Sequence, residues 1–218
     1  MSQEPFGIVF YLIVTLWLGN LWLRDIRAAA KDPELAGTGF PGATTCTLKP
    51  IVVAVAGTLV LLAAETFGEL RLGISDEQSD VSWFFLLALI SGAIVEEFVF
   101  RGYLVIESRG HAAKWVSIFA FSAIFALLHP YVWSFDLAEE TADAGMVSRL
   151  FDAFSLNFTT KAIFSTAFIF VGSLWFYFVR FFRLNPQHSI IVPIAAHVAK
   201  NVAVFAIKLA QGHITSLI

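Results

Sequence analysis

Six apolar stretches divide this chain, at residues 6–23, 50–64, 81–106, 115–133, 162–179 and 189–207. Most approach the roughly 20 residues that cross a hydrocarbon core as a helix. In lipid every backbone N–H and C=O must find its partner inside the protein, which favours helices for runs of this length. The expected fold is all-α: a polytopic transmembrane helical bundle of about six spans, as one integral membrane domain over residues 1–218. Composition supports this, because only 14% of residues are charged against about 25% in a soluble domain. A net charge of −3 gives no reason to expect nucleic acid as a partner. The single cysteine, Cys46, excludes an intrachain disulfide and a thiolate metal cage. The first stretch does not read as a signal peptide, since Glu4 stands where a basic leader is needed and no small-residue cleavage site follows.

The connections set an orientation. Arg24, Arg27, Lys31, Lys49, Arg101, Arg109, Lys114, Arg180 and Arg183 fall on one side, and Arg71, Arg149, Lys161 and Lys208 on the other. The basic side is expected in the cytoplasm, with both termini outside. Glu65, Glu69, Asp76, Glu77 and Asp80 are read as an acidic loop after the second span. The longest connection, 134–160, is also acidic, and Met146, Leu150, Phe151, Phe154 and Leu156 suggest a short amphipathic helix within it.

Against this background the charges inside spans stand out. The third span contains Glu96-Glu97-Phe98-Val99-Phe100-Arg101, and ionisable groups there need a partner, a water-filled cavity or a task. Glu97 and Arg101 are four apart and share a helix face, as an ion pair would. Glu96 lies about 140° around the helix from Arg101. A carboxylate in a dry site without a neutralising cation is a candidate general base. A structural cluster clamping helices together accounts for this stretch equally well.

The fourth span ends in Phe125-Ala126-Leu127-Leu128-His129-Pro130, and the sixth carries His197-Val198-Ala199-Lys200-Asn201. Lone histidines in apolar helices are commonly structural, and His and Asn serve as interhelical glue. Depth discriminates between the readings. At 1.5 Å per residue, Glu96 is about 21 Å before the Gly110 turn, His129 about 28 Å after it, and His197 roughly 16 Å beyond Pro186. Three spans therefore bring Glu96, His129 and His197 to broadly similar depth, which favours a shared site.

Glu96-Glu97-x-x-x-Arg101-Gly102-Tyr103-Leu104, Phe125-x-x-x-His129 and His197-x-x-x-Asn201, in this order on separate spans, resemble the motifs of the CAAX-protease and bacteriocin-processing (CPBP, Abi) family. That family of intramembrane endopeptidases includes the type II prenyl protein-processing enzyme. The resemblance covers about residues 81–207. It implies a helical membrane bundle, here in a prokaryotic plasma membrane, with a site open to the cytoplasm. It also implies a membrane-associated protein or peptide as substrate, lipidated or not.

Peptide hydrolysis needs an activated water, an oxyanion stabiliser and a proton for the leaving amine. With no serine or cysteine beside a histidine in these motifs, a covalent route is disfavoured. Glu96 is the expected general base, His129 helps to hold the water, and His197 and Asn201 donate to the oxyanion. The resemblance implies the same division, with Glu97 and Arg101 in support. No cofactor is expected. The alternatives are a zinc enzyme with Glu96, His129 and His197 as ligands, a non-proteolytic membrane scaffold or immunity protein, and a proton-coupled carrier. A carrier would be expected to show inverted repeats, and none is visible.

Overall fold

A chain whose apolar residues must face lipid folds with its hydrophobic side chains turned outward. Phe6, Leu16 and Trp17, Leu59 and Val60, and Val116 and Phe119 are all exposed on the outer helix faces. The computed structural model describes residues 5–35, 38–136 and 153–217. In chain order these form α1 (Pro5–Lys31), a 3-10 turn (Pro33–Leu35), α2 (Leu48–Leu72), β1 (Val81–Ser82) and α3 (Phe85–Glu96). A π-helical segment (Glu97–Tyr103) continues α3 and leads to α4 (His111–Leu128). Then come β2 (Trp133–Phe135), β3 (Phe154–Leu156), α5 (Thr160–Phe181), α6 (Ile191–Gln211) and β4 (Ile214–Ser216).

The protein is thus an all-α polytopic bundle, with six α-helices among the described residues. Of these, α1, α2, α4, α5 and α6 are long and apolar enough to cross a membrane. The helix α3 is shorter and more central, lying between α1 and α6, while α2 covers α5 and α6, and α4 packs on α5. Only 11% of the apolar window of α1 is buried against 39% for α5, which makes α1 peripheral and α5 the axial helix.

Small and hydroxylated residues let these helices approach, as expected where lipid removes the hydrophobic drive for association. Thr15 Oγ1 on α1 donates to Ser91 O on α3 at 3.1 Å. Trp175 of α5 packs against Gly57 of α2, where any Cβ would collide with the indole. Its Nε1 donates to Ala54 O at 3.1 Å and Thr58 Oγ1 at 3.0 Å.

Several sequence expectations need correction. The second span does not stop at Ala64, because α2 runs on to Leu72 and closes on Gly73 in the left-handed conformation. Glu65 and Glu69 are therefore helical and paired, with Lys200 at 3.2 Å and with Lys161, instead of lying in an acidic loop. The third span begins at Phe85, because Val81 and Ser82 pair in parallel with Ile214–Ser216. The fourth ends at Leu128, ahead of Pro130, and the chain turns into an antiparallel pair of β2 with β3. Phe154 and Leu156 sit in that pair; the rest of the expected amphipathic helix lies outside the described residues.

Candidate active site

The junction of α3 with its π-helical continuation builds the centre of the site. Glu96 is the last α-helical residue and Glu97 the first in the wider register. The register is explicit in the bond from Leu104 N to Val99 O, 2.9 Å long and five residues apart. Single π turns are uncommon and recur at functional sites. Tyr177 of α5 holds this one in place: its hydroxyl is 2.7 Å from Phe100 O and 2.9 Å from Leu104 O, sharing one proton between them. Tyr177→Phe is expected to lower thermal stability in detergent by about 1–2 kcal/mol, the range for a buried hydrogen bond lost with its acceptors left in place.

The change of register separates two adjacent carboxylates into different environments. Glu97 and Arg101 are both 0% exposed, and Arg101 Nη1 donates to Glu97 Oε1 at 3.0 Å. Arg101 Nη2 donates to Ser173 Oγ at 2.7 Å and to its carbonyl at 3.3 Å. The guanidinium also lies over the rings of Phe125, Tyr177, Phe176 and Phe100, at 4.5, 5.0, 5.2 and 5.8 Å. Burial of this ion pair is tolerable because several groups share the desolvated charge. Glu96, by contrast, retains 27% side-chain exposure.

His197 connects the two carboxylates. Its Nδ1 is 2.8 Å from Glu97 Oε1, and a carboxylate can only accept, so Nδ1 carries the proton. Its Nε2 then faces Glu96 Oε2 at 3.8 Å, beyond direct hydrogen bonding. Phe176 stacks on the imidazole at 4.7 Å and Phe125 meets it edge-on at 6.2 Å, fixing the ring plane.

The ring of Phe125 also touches His129, 4.8 Å away between centroids. His129 Nδ1 donates to Phe125 O at 2.8 Å, leaving Nε2 unprotonated in the neutral ring. His129 lies within electrostatic reach of Glu96, His197 and Lys200. Asn201, one turn beyond His197, uses one Nδ2 proton on Leu89 O at 2.9 Å and keeps its second. The expected residues Glu96, Glu97, Arg101, His129, His197 and Asn201 therefore gather around the α3–α6 contact. Among the described residues no three His, Cys, Asp or Glu side chains are grouped to hold a metal ion.

Ser173, Phe176 and Tyr177 were not anticipated. With Arg180 they form a buried stripe on α5 at the i, i+3, i+4, i+7 spacing of one helix face. That periodicity was readable, but one serine and two aromatic rings resembled ordinary membrane-helix composition. Lys200, given no role from sequence, spans to Glu65 on α2 beside the site.

The family described as type II CAAX prenyl endopeptidase Rce1-like matches residues 78–203 of this chain. That interval begins just ahead of β1 and ends two residues past Asn201, so it contains every residue of the cluster. No curated protein and no solved structure matches.

Proposed function

The chain belongs to the Rce1-like type II CAAX prenyl endopeptidase family, and from that premise we propose that Glu96 activates the water that hydrolyses a substrate peptide bond. In general terms the family makes it a membrane-embedded endopeptidase acting on a membrane-associated protein. The observation that carries the finer reading is the unequal treatment of the two glutamates. Glu97 holds Arg101 and His197 through Oε1, whereas Glu96 makes no hydrogen bond to a described residue and approaches His197 Nε2 at 3.8 Å. That distance leaves Glu96 Oε2 open to accept a hydrogen bond from water.

The steps follow from the proton positions. Glu96 takes a proton from water as the oxygen attacks the scissile carbonyl. His129 Nε2, bare in the neutral ring, accepts a hydrogen bond from the same water. As the C–N bond breaks, the proton taken by Glu96 passes to the leaving amine, with His129 Nε2 able to relay it. The free N–H of Asn201 is the oxyanion donor already in the right state. His197 can donate from Nε2 only as the imidazolium, a form that Glu97 supports through Nδ1. This makes the oxyanion role of His197 conditional and that of Asn201 direct. The Lys and Arg distribution supports a site open to the cytoplasmic side.

Asn201 is the sharpest test of this assignment, because an amide is a poor zinc ligand but a good donor. Asn201→Ala is expected to fold and to lose about 10²–10³ in turnover. Purified wild type is expected to contain no stoichiometric zinc and to keep its activity after a chelator is dialysed away. Equimolar zinc that disappears in His129→Ala, with inactivation on chelation, would replace this mechanism with a metal-dependent one.

A further inference from the structure

At the edge where α3 and α5 end and α4 and α6 begin, one buried cation has no role in the site just described. Arg180, in the last turn of α5, is 4% exposed. Its guanidinium makes no hydrogen bond or ion pair with any described residue, and its Nε and Nη1 are fully buried. The Phe181 ring, 5.0 Å from the guanidinium carbon, offsets only part of that desolvation. A buried charged donor set without acceptors calls for a partner that the protein itself does not supply.

Phe181 gathers further nitrogen groups around the same spot. Lys114 Nζ, from the first turn of α4, sits over its ring at 3.4 Å, and His188, in the α5–α6 turn, meets it edge-on at 5.0 Å. His188 is held with φ of 50° and is bonded through its backbone N to Asn185 O at 3.0 Å. Burial, and then the charges of Lys114 and Arg180, push the His188 pKa down against the opposing effect of Glu107, so these three groups all lie within electrostatic reach of His188. Helix α4 starts at Gly110 without a side-chain cap, which leaves its positive end uncompensated. Glu107 is the carboxylate of the group, bonded to Lys114 at 3.1 Å with 43% of its side chain exposed. It can turn to solvent when an anion arrives.

We propose that Arg180, Lys114 and His188 form a phosphate-binding site, occupied by the head group of an anionic phospholipid. The chemistry selects phosphate because a guanidinium fork and an ammonium both donate to its oxygens. The position selects a lipid because these side chains lie where apolar helices stop, at the level of head groups. Free inorganic phosphate shares the chemistry and is the alternative source.

The test uses full-length protein in neutral detergent. Native mass spectrometry measures retention of phosphatidylglycerol and of phosphatidylcholine. A separate titration follows the melting temperature against inorganic phosphate. Phosphatidylglycerol should bind about tenfold more tightly than phosphatidylcholine, and Lys114→Gln or Arg180→Gln should each remove about tenfold of that affinity. Lys114 is partly exposed, so its variant remains informative if Arg180→Gln does not fold. Equal retention of the two lipids, or equal retention by wild type and Lys114→Gln, would overturn the site. A melting shift with inorganic phosphate at the concentrations that suffice for phosphatidylglycerol would overturn the lipid as its occupant.

Discussion

Glu96→Gln is expected to yield folded membrane protein that cleaves about 10²–10⁴-fold more slowly, the range a positioned general base supplies. The fold should survive because the wild-type carboxylate anchors nothing. Glu96 makes no hydrogen bond to a described residue, it approaches His197 Nε2 only at 3.8 Å, and 27% of its side chain is exposed. An amide of the same shape at such a position changes stability little, while it cannot take a proton from water. Two measurements separate these effects: the melting temperature of the purified variant, and the peptide termini in membranes expressing wild type or variant. A terminus present only with wild type identifies the substrate and supplies the assay for turnover. Loss of folded protein equal to that of Glu97→Gln would make the double glutamate a structural clamp.

The parts of this site readable in sequence are those set by helix spacing alone. The four-residue interval from Glu97 to Arg101 predicted the ion pair, and the structure has it at 3.0 Å. Depth counting brought His129 and His197 near Glu96, and both of their rings pack against Phe125. The bond from His197 Nδ1 to Glu97 was not readable, because it depends on the rotation of α6 against α3. No property of either segment alone fixes that angle. The π-helical register at Glu97 was equally hidden, since it rests on Tyr177, more than 70 residues later. The boundary of α2 was misplaced for a simpler reason. Glu65 and Glu69 look like loop residues until Lys200 and Lys161 approach them from other helices.

Glu97→Gln and Arg101→Met should each be expressed poorly, and replacing both residues with apolar ones should restore the fold without restoring activity. Either single change leaves the opposite charge at 0% exposure without its partner, which costs about 3–5 kcal/mol. The residual contacts do not compensate. Arg101 would keep Ser173 and four aromatic rings but no anion, and Glu97 would keep only His197. A Glu97→Leu/Arg101→Met double variant removes both buried charges, and apolar replacements of a buried pair are often neutral or better. Thermal melting should therefore return toward wild type. Cleavage should not, because His197 Nδ1 loses the acceptor that sets its tautomer and its ring orientation. Imidazolium at His197 would also lose its supporting carboxylate, leaving the oxyanion to Asn201. Glu97→Gln in the presence of native Arg101 does not separate these contributions, whereas the double variant does. Recovery of both fold and cleavage would reduce Glu97 to a counterion for Arg101, whereas a recovered fold with cleavage still absent identifies Glu97 as the residue that positions His197.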